Sequence, residues 1–152
     1  MQLFETKHFG KITYEEESEL LFPCGLPGFD DRRRFVAVRF AENEPLIYLQ
    51  NLEDPGLCFI TMPILAAQPD YRLKVSGEDL AQLALPAAHQ PRIGEDVLCL
   101  TVISLHETGP TANLLAPIVV NLRNRRAVQA VTQETGYSHR FELMPQEAEV
   151  CS

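Results

Sequence analysis

Thr111-Ala112-Asn113-Leu114-Leu115-Ala116-Pro117-Ile118-Val119-Val120-Asn121 is the densest apolar run in the chain. Leu114, Leu115, Ile118, Val119 and Val120 follow one another too closely for a strand with one wet face. They fit a strand buried on both faces. Pro117 interrupts the run. Proline donates no backbone hydrogen bond, so a straight central strand does not pass through that point. The run therefore predicts a strand ending near Leu115, a bend or bulge at Ala116-Pro117, and a second strand from Ile118 to Leu122. Asn113 and Asn121 stand at the ends of this corner, where their side chains can satisfy main-chain groups at the bend. A core strand with a built-in corner is what a small barrel needs where its sheet turns.

Neighbouring segments extend the same pattern. Val97 to Leu105 is a long apolar strand, placed centrally, and Glu107-Thr108-Gly109-Pro110 turns it into the corner. Leu122-Arg123-Asn124-Arg125-Arg126 has hairpin-loop character, because Asn tolerates the left-handed conformation, and Ala127 to Val131 returns as a strand. Tyr137 to Leu143 is a last extended segment. Upstream, Leu46–Asn51 and Leu57–Met62 are strands joined by Asn51-Leu52-Glu53-Asp54-Pro55-Gly56, and such close neighbours pair as a hairpin. Phe35 to Phe40 alternates like a strand. Residues 1–22 are extended, with strand segments at Lys11–Tyr14 and Leu20–Phe22. Residues 63–72 are loop, and Arg72–Val75 is a short strand. Ser76 can cap a helix whose first turn carries Glu78 and Asp79, with Leu80, Leu83 and Ala84 at helical spacing and Pro86 as its stop. The expectation is an all-β, single β-barrel-like domain of about eight or nine short strands, with one short helix near 77–85. It spans residues 1–144, and 145–152 form a polar, frayed tail.

Charge and composition narrow the function. The chain has 152 residues, 45% hydrophobic, with a formal net charge of −8. That length supports a core without disulfide or metal staples. A duplex nucleic-acid binder carries a basic excess, so an acidic chain points to a basic partner. No run approaches the roughly 18 apolar residues of a membrane span, and Met1-Gln2-Leu3-Phe4-Glu5 is not a signal peptide. The expected location is cytoplasmic. Cys24, Cys58, Cys99 and Cys151 form no C-x-x-C pair, and His8, His89, His106 and His139 have no metal-ligand spacing. No cysteine neighbours a histidine in sequence and no nucleophile elbow is present, so no active site, cofactor site or metal site is assigned.

Two loops carry more information. In Phe22-Pro23-Cys24-Gly25-Leu26-Pro27-Gly28-Phe29-Asp30, Pro27-Gly28 is the central pair of a type II turn. Its prolines remove backbone donors and no Lys-Ser/Thr follows, which argues against a phosphate cradle. Leu26 and Phe29 are either core plugs or anchors for a partner. Glu15-Glu16-Glu17-Ser18-Glu19 is either a solvated turn or an acidic contact.

Together these motifs resemble the family of the flagellar assembly factor FliW. The matching segments are Gly10–Tyr14, Phe22–Asp30, Leu49–Asp54, Pro69-Asp70-Tyr71, Thr111–Asn121, Gln129 and Tyr137, in the family's order over nearly the whole chain. Cys24 stands where an acid is more usual, Ala112 where Val is commoner, and Thr132 where an apolar residue is typical. The resemblance implies a compact β-barrel-like protein without enzymatic activity or cofactor. Its partners would be flagellin and the small RNA-binding regulator CsrA, with no direct contact to nucleic acid. When flagellin is exported, the freed factor would sequester CsrA and lift repression of flagellin translation. The free protein is expected to be monomeric. The competing expectation is a small barrel enzyme or cofactor binder of the flavin-type split-barrel kind, which rests on fold analogy alone. For a partner-binding surface the candidates are Glu15, Glu16, Glu17, Glu53 and Asp54 as acidic contacts, Phe29 and Tyr71 as loop aromatics, and Asn113 at the corner. An exposed strand edge is a further candidate.

Overall fold

The computed structural model describes residues 1–132 and 136–143. Eleven strands appear among them, several only two or three residues long. β1 (Gln2–Thr6) and β2 (Gly10–Tyr14) form a separate antiparallel hairpin. The other nine make one sheet. They are β3 (Leu20–Leu21), β4 (Arg34–Val38), β5 (Ile47–Asn51), β6 (Cys58–Pro63), β7 (Val97–His106), β8 (Gly109–Ala112), β9 (Ile118–Asn121), β10 (Ala127–Gln129) and β11 (Phe141–Glu142). The main path runs β10-β9-β7-β6-β5-β4-β3, and β8 and β11 branch from the far end of β7. The sheet curls into a half-barrel. Its outermost strands meet at one parallel bridge between Leu21 and Arg126, where Leu21 N donates to Arg125 O at 3.0 Å.

The apolar run at 118–121 explains why the sheet carries two cores. All four residues of β9 are buried. Ile118 and Val120 enter the inner core of the half-barrel with Phe22, Phe35, Ile47 and Leu49. Val119 points the other way, into an outer core with Cys99, Val128, Leu80 and Leu83. A strand with apolar residues on both faces can bury both only as the shared wall of two layers. The outer layer is supplied by residues 64–96. These include α1 (Ile64–Ala67) and α2 (Gly77–Gln82), with Ser76 Oγ accepting from Asp79 N at 3.1 Å as the cap.

Eleven strands exceed the eight or nine expected, because several are pairings of only two or three residues, and four further details depart from the sequence expectation. The strand before the corner ends at Ala112, not near Leu115, because Asn113 Oδ1 captures the N–H groups of Leu115 (3.2 Å) and Ala116 (3.0 Å) and bends the chain early. The segment 63–72 is not all loop but contains α1, so there are two short helices among the described residues instead of one. Residues 72–75 join no strand. Val75 instead bonds the Gln90 carboxamide at both ends, its N–H donating to Oε1 (2.7 Å) and its C=O accepting from Nε2 (3.0 Å). In the β9–β10 loop the left-handed residue is Arg125 (φ 63), not Asn124. Asn124 Oδ1 accepts from Arg126 N instead. The tail at 145–152 lies outside the described residues.

Candidate partner-binding surface

One end of the half-barrel gathers most of the charged candidates. β5 leads into the turn 52–56, and Asn51, fully buried, organises it. Its Oδ1 accepts from Glu53 N and Asp54 N, both at 2.7 Å, and its Nδ2 donates to Arg34 O at 3.1 Å. Leu52 is thereby tucked in, while the Glu53 side chain stays exposed. Glu53 Oε1 in turn accepts from the N–H groups of Arg33 (2.7 Å) and Arg34 (2.9 Å), stitching this turn to the start of β4. Asp54 Oδ1 accepts from Gly56 N at 3.0 Å, and its Oδ2 lies 3.6 Å from Arg32 Nε. The Arg34 guanidinium bonds Glu19 at 2.7 Å, which raises its already high pKa further. Such exposed pairs contribute only about 0–1 kcal/mol of stability each. They fix side-chain position more than they stabilise the fold. Glu15, Glu16 and Glu17, just before Glu19, stand exposed around a single 3-10 turn at 16–18.

The proline-glycine loop closes the same end. Phe29 N donates to Leu26 O at 2.7 Å around Pro27-Gly28, and Gly28 has the positive φ (+84) that position requires. A Cβ on Gly25 would meet the carbonyl oxygens of Phe29 and Asp30 at 2.6 Å, so only glycine fits there. The two apolar side chains of the loop differ in burial. Leu26 is buried in the inner core, whereas Phe29 is 38% exposed and rests edge-on against Phe59 at 5.7 Å.

Tyr71 and Asn113 lie elsewhere. Tyr71 is only 6% exposed, so it is no surface anchor. Its hydroxyl donates to Leu114 O at 2.6 Å and its ring stacks on Tyr137 at 4.4 Å, pinning the outer layer to the corner. Burial pushes its pKa well above the ordinary tyrosine value. Asn113 is engaged at the corner as described. Of the eight candidates, then, Glu53, Asp54 and Phe29 are brought together, with Glu15–Glu17 beside them through the Glu19–Arg34 bond.

A second feature has no local signature in the sequence. The tip of the β1–β2 hairpin crosses the outside of β5 and β6, held by Lys7 N to Pro55 O (2.9 Å) and His8 Nε2 to Gly56 O (3.2 Å). Phe9 packs there against Tyr48 (5.3 Å) and Phe40 (5.6 Å). Beneath it His8, Phe9, Tyr48, Cys58 and Ile60 line a cleft of ≈ 210 Å³. Burial pushes the Cys58 thiol up to about 11, so at neutral pH it stays protonated and forms part of the cleft's apolar wall. Among the described residues no group of His, Cys, Asp or Glu is arranged to hold a metal ion, and no helix is long and apolar enough to cross a membrane. What the surface offers chemically is recognition: rigid turns, outward carboxylates, one exposed aromatic ring and an apolar cleft.

Comparison with known proteins supplies the context. The family model described as FliW protein matches residues 3–143. The flagellar assembly factor FliW of Heliobacterium modesticaldum is 31% identical over 145 residues, covering 95% of this chain and 92% of that protein. The FliW of Bacillus subtilis strain 168 is 30% identical over 138 residues, covering 90% and 92%. A crystal structure of the flagellar assembly factor FliW superposes with a TM-score of 0.82 at 27% identity, covering 96% of this chain and 99% of that one.

Proposed function

The chain belongs to the FliW family of flagellar assembly factors, and on that premise we propose that it is a cytoplasmic regulator, not an enzyme, that works by exchanging protein partners. It binds flagellin, and it binds the RNA-binding translational regulator CsrA. When flagellin is exported, the freed factor sequesters CsrA and relieves repression of flagellin translation. The observation that carries this reading is the acidic end of the half-barrel. There Glu53 and Asp54 are held on a turn ordered by a buried asparagine, beside the exposed Glu15–Glu17. A protein that binds RNA needs basic surface, and carboxylates held in place complement it without paying to be ordered on binding.

The test is titration of the purified protein with flagellin and with CsrA, separately and in competition. Dissociation constants tighter than about 10 μM for each are expected, with release of CsrA on addition of flagellin. Constants weaker than about 100 μM for both would sink the proposal.

A further inference from the structure

The edge of β4 is left half-covered. β3 pairs with it only through Leu20–Phe35 and Leu21–Arg34. Beyond that point, among the described residues, β4 has a neighbour on one side only, β5, with Val36 opposite Gln50, Ala37 opposite Leu49 and Val38 opposite Tyr48. The direction of the main-chain groups follows from two bonds. Leu52 N donates to Arg34 O, so Arg34, and by alternation Val36 and Val38, turn toward β5. Phe22 N donates to Arg33 O, so the odd-numbered residues turn outward. Ala37 therefore directs its N–H and C=O away from the sheet, and it is exposed. Beside this edge runs a groove of ≈ 300 Å³, walled by Ile12, Thr13 and Tyr14 of β2 and by residues 36–39.

We propose that this edge accepts an extended segment of a protein partner by strand addition, with the segment lying in the groove between β4 and β2. The charges at the two ends of the groove define the chemistry of that segment. At one end, past Tyr14, Glu16 and Glu17 are exposed and form no ion pair among the described residues. At the other end Arg39 is likewise exposed and unpaired among those residues. The fitting segment is thus an extended one carrying a basic residue where it passes Glu16 and Glu17 and an acidic group where it passes Arg39. Main-chain bonds to Ala37 supply affinity that does not depend on sequence, and the two ends supply direction. The proposal rests on the reading of the chain as a partner-binding factor, and it adds which edge is used.

Proline separates this site from the fold. An edge residue whose N–H faces outward tolerates proline, because no ladder bond is lost. Ala37→Pro should stay folded yet be unable to donate to an added strand, whereas Ala37→Val keeps the N–H. With purified flagellin and purified CsrA as probes, Ala37→Pro is expected to weaken binding of one of them about tenfold or more while Ala37→Val does not. In the unmodified protein, the amide of Ala37 should exchange about tenfold more slowly in that complex than in the free protein. Unchanged affinity of folded Ala37→Pro for both probes, or no slowing of exchange at Ala37 in either complex, overturns the edge site. Failure of the unmodified protein to bind either probe instead overturns the functional reading beneath it. A dimer of the unmodified protein that Ala37→Pro converts to monomer in sedimentation assigns the edge to a second copy and likewise overturns the proposal.

Discussion

Asn51-Leu52-Glu53-Asp54 and Asn113-Leu114-Leu115-Ala116 are the same turn put to two uses. In each the asparagine Oδ1 accepts from the N–H groups two and three residues on. In each the following leucine is buried, 6% exposed for Leu52 and 2% for Leu114. The third and fourth residues differ. Glu53 and Asp54 face outward at the end of the half-barrel, whereas Leu115 and Ala116 stay half-buried and lead through Pro117 into β9. One local solution to unsatisfied amides thus makes a display turn in one place and a core corner in the other. The backbone bonds alone do not say which. The side chains after the asparagine and the layer beneath it do.

The largest effects test the buried half of the comparison. Leu114 belongs to the outer core and its carbonyl holds the Tyr71 hydroxyl, while Leu52 belongs to neither main core. Leu114→Ala is expected to cost about 4 kcal/mol and Leu52→Ala about 2 kcal/mol in urea unfolding. Equal losses would mean the two turns rest on equivalent packing after all. The asparagines should differ next. Asn51 is fully buried and makes three bonds, so Asn51→Ala should cost about 3 kcal/mol. Asn113 is less buried and its two bonds are longer, so Asn113→Ala should cost about 1–2 kcal/mol. A reversed order would show that the corner, not the display turn, depends on its cap.

Smaller effects probe the displayed half. Glu53→Gln with Asp54→Asn keeps the acceptor oxygens used by Arg33, Arg34 and Gly56 but removes two charges. Stability should change by less than about 1 kcal/mol. Binding of the basic partner should weaken about tenfold, which is ~1.4 kcal/mol. Undiminished affinity would remove this pair from the interface. The smallest contrast is chemical. Cys24 is exposed in the loop at the displayed end, while Cys99 is buried opposite Val119 beneath the corner, its thiol pushed up to about 12 by burial. At pH 8, iodoacetamide should label Cys24 in the native protein and Cys99 only after unfolding. The raised thiol pKa also has a definite sign for stability. Unfolding frees Cys99 to ionise near its ordinary value of about 8.5, so its contribution is full below that pH and lost as pH rises toward about 12. Cys99→Ala should flatten that decline in an alkaline unfolding series.

Much of this was legible along the chain, for identifiable reasons. The corner was marked by Pro117 inside an apolar run, and the rigid loop by Pro27-Gly28, because proline and glycine act on their own backbone. The helix start at Ser76 was marked by its cap. Other features were not legible. The strand expected at 72–75 is missing because Gln90 occupies the main-chain groups of Val75 from a distant loop. Tyr71 looked like a loop aromatic and is spent on Leu114 O and Tyr137, contacts made across the fold. The cleft at His8, Phe9, Tyr48, Cys58 and Ile60 joins the hairpin tip to two strands far along the chain.

By itself, then, the sequence determined what each segment prefers: an acidic all-β chain, a corner at Pro117, a fixed turn at Pro27-Gly28, and motifs specific enough to indicate the family. These depend on local sterics, periodicity and residue type, which act over a few residues. The tertiary structure decided which of two like asparagine turns faces water, that Leu26 is buried while Phe29 is exposed, and that no described strand pairs with the edge of β4 at Ala37. Those outcomes depend on which surfaces meet when the sheet curls and the 64–96 layer covers one of its faces. No single segment carries that information, because burial is a property of the packed whole.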